Sequence, residues 1–202
     1  MALRIVRLRG SEILARQDDL ARLRIEVFRD FPYLYEGSRE YEAAYIRTYV
    51  EARDSVLVAA IDGDRIVGAS TALPMAEAME ECIRPFAENG YDIARIFYFG
   101  ESVLLKPYRG QGIGVRFFAE REAAALAHPQ VEITAFCAVE RPSDHPMRPA
   151  GYVPLDAFWA RRGYAKHREL VARFHWRDLG EREESTKPLS FWLKRHERRP
   201  QA

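Results

Sequence analysis

A chain of 202 residues with 48% hydrophobic positions and a net charge of +1 is one ordinary globular domain with its own core, and its charge argues against a dedicated nucleic-acid binder. Its longest apolar run, Val56 to Ile61, is far too short to cross a membrane, and the N-terminal MALRIVRLRG lacks the apolar core of a signal peptide. Cys82 and Cys137 lie in different kinds of segment, which excludes a disulfide framework or metal knuckle and makes the cytoplasm the default location.

In chain order, ALRIVRLRG predicts a strand closed by Gly10, and Ser11 to Arg29 a helix, with Ser11 as its N-cap and Leu20, Leu23 and Val27 on one face. Pro32 and Gly37 interrupt in DFPYLYEG, and a second helix begins at Ser38 and runs to about Val50. Two β-rich runs flank Asp62-Gly63 and predict a hairpin. Met75 to Asn89 is expected to be helical, stopped by Gly90. ARIFYFGESVLLK then reads as a long strand, Gly112 to Ala127 as a helix and VEITAFCAVE as a strand. RPSDHPMRPAGYVP, Arg141 to Pro154, is a long loop of the kind that carries function. LDAFWARRGY predicts a short helix ended by Gly163. ELVARFHWRDL and PLSFWLKR alternate as two closing strands, and the tail from about residue 196 to 202 is expected to be disordered.

KPYRGQGIGVRFF places glycines at 110, 112 and 114, where a helix must start. The first N–H groups of a helix have no internal partner and carry the positive end of its dipole. Glycines let a phosphate reach them, so a phosphate ester is the natural ligand. No Lys-Ser/Thr pair follows, which excludes a nucleotide P-loop. The dinucleotide spacing Gly-x-Gly-x-x-Gly fails at Val115 and again at Phe117. What remains is Arg/Gln-x-x-Gly-x-Gly/Ala, met by Arg109, Gly112 and Gly114.

RGQGIG after a long strand resembles motif A of the GNAT superfamily of N-acetyltransferases, and FWARRGY is similar to that family's FY-x-x-x-GF ending. The order of elements agrees over essentially the whole chain. The resemblance implies a single α/β domain spanning 1–202, with a mixed central β-sheet whose two central strands splay apart. It also implies acetyl-CoA, or another acyl-CoA, as co-substrate and no metal. The diphosphate would rest on Arg109, Gly110, Gln111, Gly112, Ile113, Gly114 and Val115, and the pantetheine arm along Val103, Leu104 and Leu105. Pro107 stands two residues before Arg109 where three is usual in the family, so the turn is expected to be shorter.

Acyl transfer to an amine needs a base for the ammonium proton, a donor for the oxyanion and a path for the thiolate. A main-chain N–H near Leu104 is the oxyanion donor by resemblance. Glu101, the one acid in an apolar strand, is the first candidate base, placed by alternation on the face of Phe99 and Val103. The alternative for it is a glutamate paired with an arginine. Glu140 is the runner-up. His145, in the long loop, is of the type suited to proton transfer near neutrality, or is a packed loop histidine. The tyrosine common in FY-x-x-x-GF aligns with Trp159, which cannot supply a proton to thiolate; Tyr152 is the substitute candidate. Cys137 is expected to be a small core residue. By resemblance, DFPYLYEG lines the acceptor pocket with Tyr33, Tyr35 and Glu36, which suits a small cationic amine. Three functions follow: transfer to a small-molecule primary amine, a non-catalytic acyl-CoA-binding module, or a protein lysine or N-terminal acetyltransferase. No nucleic-acid or membrane partner is expected, and the terminal strands could pair two copies as a homodimer.

Overall fold

The computed structural model describes residues 3–197. β1 (Arg4–Leu8) pairs antiparallel with β2 (Val56–Asp62) at the edge of the sheet. The expected Ser11 helix is two helices, α1 (Ser11–Leu14) and α2 (Gln17–Phe28). Gly10, at φ 47°, takes the N-cap position expected for Ser11. The break lets both Ile13 and Leu20 reach the core, and Arg16 Nη2 fastens it by donating to the Asp64 carbonyl at 2.8 Å. α3 (Arg39–Glu51) starts as expected, with Ser38 Oγ accepting the Tyr41 N–H at 3.2 Å.

β2 and β3 (Arg65–Pro74) form the hairpin, with the turn one residue later than expected. Asp62 pairs with Arg65, so Gly63 and Asp64 make the loop. The Met75 to Asn89 helix is shorter: a 3-10 turn at Met75–Glu77 precedes α4 (Glu80–Glu88), because Ala78 and Met79 are extended. Met75, Cys82 and Phe86 are thereby all buried.

β4 (Ile96–Leu104), α5 (Ile113–Ala125), β5 (Ile133–Val139), α6 (Asp156–Ala160), β6 (Ala165–Trp176) and β7 (Ser185–Arg195) complete the chain. The sheet order is β1-β2-β3-β4-β5-β7-β6. Leu189, Phe191 and Leu193 face inward as the alternation predicts, yet Ser190 and Trp192 are buried too. The reason is that β7 lies inside the sheet, between β5 and β6. His196, placed in the disordered tail by the sequence, is half-buried: its N–H donates to the Glu132 carbonyl at 2.8 Å and its Nε2 bonds Thr134 Oγ1 at 2.9 Å. The rest of that expectation, residues 198–202, lies outside the described residues. No helix of the described residues is long and apolar enough to cross a membrane.

Two irregularities at the centre of the sheet position everything that follows. β4 and β5, a parallel pair, touch only from Ile96↔Ile133 to Tyr98↔Ala135. Beyond that β4 stays on β3 as far as Leu104, while β5 stays on β7 as far as Val139, so the two strands part as expected. In the parted stretch β4 also carries a bulge. Ser102 faces Ser70 and Phe99 faces Ala72, leaving Gly100 and Glu101 opposite the single Thr71.

Candidate active site

The glycine segment is built for close approach. Gly110 and Gly112 have φ 77° and 79°, a region that side chains resist, and Gly112 is the left-handed N-cap of α5. No backbone carbonyl of the described residues accepts from the amides of Gly110, Gln111 or Gly112. Those of Ile113, Gly114 and Val115 open the helix and have no carbonyl one turn back. Exposed Lys106, Arg109 and Arg116 flank this crook with positive charge. The shorter turn expected from Pro107 is a 3-10 turn, Lys106–Tyr108, held by Gln111 Nε2 donating to the Pro107 carbonyl at 2.9 Å. Amides without carbonyl partners, glycines at 110 and 112 and basic side chains, of which Lys106 and Arg109 also meet Asp30, suit this surface to a diphosphate.

Beside the crook lies the stretch where β4 and β5 part. Its α5 side is closed by aromatic rings. Phe118 packs against Phe99 of β4 at 6.2 Å and Phe136 of β5 at 5.7 Å, with Tyr164 against both strands' rings. Val103 and Leu105 are buried, and the β5-facing edge of β4 past Tyr98 has no strand partner among the described residues. Trp159, half-buried, meets Phe136 and Trp192 edge-on at 5.1 Å each and packs against the core. A surface cavity of about 440 Å³, lined by Arg84, Glu88, Glu169 and Arg173 among others, shares no residue with the parted stretch of β4 and β5.

Glu101 lies on the other face from Phe99, contrary to strict alternation, because the bulge inserts a residue between them. Its Oε2 accepts from the Tyr45 hydroxyl of α3 and forms an ion pair with Arg24 Nη1 of α2 at 2.8 Å. Oε1 has no hydrogen-bond partner among the described residues. Arg24 also pairs through Nε with Glu42 and lies 3.9 Å over the Tyr45 ring. Burial opposes the charge on Arg24, but Glu101, Tyr45 and Glu42 outweigh it and hold the guanidinium more firmly protonated than usual. Burial, then Glu101, push the Tyr45 phenol well above its ordinary range, so its hydroxyl remains a donor.

The other candidates are distributed unevenly. Glu140 pairs with Lys166 of β6; burial opposes ionisation, but Lys166 and Ser190 outweigh it and hold the carboxyl below its ordinary range. His145 and Tyr152 both pack on Phe31, at 5.6 Å and 4.7 Å, so the long loop folds onto the segment between α2 and α3. His145 Nδ1 accepts from the Met147 N–H at 3.2 Å, leaving Nε2 as the free ring nitrogen. Arg141 locks this assembly from the loop's start. It donates to the carbonyls of Pro32 and Tyr33 and grips Asp178 through both terminal nitrogens, at 2.6 and 2.9 Å. Burial opposes the Asp178 charge, yet Arg141 and Lys187 keep its carboxyl below the usual range.

Tyr33 stacks on Trp176 at 6.1 Å and meets the tilted ring of Phe28 at 4.6 Å. Burial above all, with Cys137, Tyr152 and Glu101 adding to it, pushes its phenol upward. Cys137 is buried, 3.3 Å from the Tyr98 hydroxyl, as a core residue. Glu36 turns away from Tyr33 and Tyr35. Glu36 is exposed and pairs with Arg177 at 3.0 Å, whereas the acid beside Tyr35 is Glu42, fully buried in α3. Arg24, Glu42 and Tyr45 escape notice in the sequence, although each occupies the apolar face of its helix, where a charged or hydroxyl side chain is anomalous.

No family model and no curated protein matches the chain. Solved structures do. A ribosomal-protein-alanine N-acetyltransferase from Brucella melitensis is 14% identical, with a TM-score of 0.61 over 97% of this chain and all of that one. PaiA N-acetyltransferase from Thermoplasma acidophilum, in complex with coenzyme A, is 13% identical, with a TM-score of 0.55 over 97% of this chain and 100% of that one. A Desulfovibrio desulfuricans protein assigned to the GNAT family of acetyltransferases is 13% identical, with a TM-score of 0.57 over 96% of this chain and 99% of that one. The resemblance drawn from RGQGIG therefore holds at the level of the fold: this is the α/β architecture of the GNAT acetyltransferases.

Proposed function

We propose that the protein is an acyltransferase that moves the acetyl group of acetyl-CoA to a primary amine of a small-molecule acceptor by direct attack on the thioester. The observation that carries this is the parting of β4 from β5 beside a glycine-opened helix N-terminus, with a carboxylate on the bulge of the same strand. The crook from Arg109 to Val115 would hold the diphosphate, and the free edge of β4 at Val103, Leu104 and Leu105 the pantetheine arm. The coenzyme, when bound, supplies the activated acyl group. Glu101, with Oε2 occupied by Tyr45 and Arg24, offers Oε1 to the acceptor's ammonium and takes its proton. A main-chain N–H of β4 stabilises the charge that grows on the attacked carbonyl. Tyr33, kept protonated by burial, and the loop residues His145 and Tyr152 surround the acceptor side. Two buried free thiols, Cys82 and Cys137, support a reducing compartment such as the cytoplasm.

A polypeptide acceptor is the second reading. The loop that carries His145 and Tyr152 also exposes Met147, Val153 and Leu155 at 46%, 77% and 54%, an apolar rim suited to a chain end. The acceptor of the Brucella relative, a ribosomal protein by its name, is of that class. Thiol release from acetyl-CoA across small amines and amine-bearing peptides separates the readings. Release with small amines is expected. Release with peptides alone favours the second reading, and coenzyme binding with no release above background leaves only a binding module.

A further inference from the structure

Arg121, on the third turn of α5, is only 2% exposed and has no carboxylate within ion-pairing distance among the described residues. Burial lowers its pKa to about 10. A buried guanidinium without an acid is strongly disfavoured, and a Met or Leu would fill the same volume with no charge to desolvate. Its cation lies over the rings of Phe99 and Phe118, 4.4 and 4.8 Å from their centroids, which offsets part of that cost. Nε donates to the Phe117 carbonyl of its own helix, and Nη1 reaches across to the Glu101 carbonyl, both at 3.2 Å.

That last bond is the informative one. Glu101 sits in the β4 bulge, where the ladder leaves main-chain groups unpaired. Its N–H donates to the hydroxyl of Thr71, on β3, at 3.2 Å, and its C=O accepts from Arg121. Both main-chain groups of the candidate base are thus satisfied by side chains, one from the neighbouring strand and one from α5. In a planar trans peptide, fixing the Glu101 carbonyl also fixes the Ser102 N–H on the opposite side. We propose that Arg121 is a positioning residue that holds the β4 bulge, and with it the Glu101 carboxylate and the main-chain donor beside it, in register with the acyl group. The role in catalysis rests on the acyltransferase reading; the role in the bulge does not.

Arg121→Met separates the two. Removing an unpaired buried charge should leave the thermal midpoint unlowered, while amide exchange across residues 99–103 becomes about tenfold faster. With the reaction in hand, kcat should fall about tenfold or more at a coenzyme Kd unchanged within about twofold. Arg121→Lys should recover part of the lost kcat. Thr71→Val, which removes the other clamp, should repeat the pattern and serves alone if the Met variant does not fold. Unaltered exchange overturns the bulge-holding role even if no acceptor is found. Faster exchange with unaltered kcat overturns the positioning role, as does a fall in kcat matched by a lowered midpoint and weakened coenzyme binding.

Discussion

Glu101→Gln is expected to lower kcat about a hundredfold or more near neutral pH, with the coenzyme Kd changed by no more than about twofold. Glutamine keeps the size of the side chain and can still accept from the Tyr45 hydroxyl. It cannot take a proton from an ammonium. It also surrenders the ion pair with Arg24, whose guanidinium retains Glu42 as a partner, so the fold should survive with a loss of about 2 kcal/mol. The two effects are read separately, by steady-state rates and by thermal unfolding. A variant as active as wild type at every pH removes Glu101 as the base and leaves it the arginine-paired glutamate that the sequence also allowed.

Gly100→Ala is expected to be the most damaging single methyl in the chain. A Cβ there would lie 1.9 Å from Tyr49 Oη and 2.6 Å from Thr71 Oγ1. Tyr49 is 3% exposed and its hydroxyl is bonded to Tyr45 at 2.9 Å, so the ring has nowhere to withdraw. Overpacking of this kind costs about 3 kcal/mol, which for a chain of this size lowers the midpoint by about 10 °C. Tyr49→Phe removes the closest obstructing atom. The double variant should therefore unfold at a higher temperature than Gly100→Ala alone; equal or lower stability would mean that the clash is not with the hydroxyl.

These two neighbours show what the sequence discloses and what it conceals. The glycine-opened start of α5 was legible because its requirement is local: glycines at 110, 112 and 114, met just where a strand gives way to a helix. The hairpin, the long central strand and the terminal strands were legible for the same reason, through periodicity and turn chemistry. The orientation of Glu101 was not. Alternation from Phe99 assigns it to the α5 face, and only pairing with β3, with Gly100 and Glu101 opposite Thr71, turns it toward Arg24 and Tyr45. A bulge depends on a partner strand some thirty positions away and leaves no pattern within its own segment. The surroundings of Glu36 are concealed likewise. Glu36 reads as the acid among the tyrosines because it is adjacent in sequence, but Arg177 draws it outward and Glu42 takes the buried position from the next helix. A weaker signal was present. Arg24, Glu42 and Arg121 are charges at apolar-face positions of amphipathic helices, and each belongs to the network around Glu101.

The central claim is that main-chain amides of residues 109 to 115 bind the diphosphate of coenzyme A. Titration calorimetry of coenzyme A into the wild-type protein and into Gly112→Val tests it most directly. A β-branched side chain is ill suited to the φ of 79° at Gly112 and places atoms where the ligand must approach. Saturable heat with the wild type and at least about a tenfold weaker Kd in the variant is the predicted result. No heat with the wild type, or equal affinity in a folded variant, would contradict it.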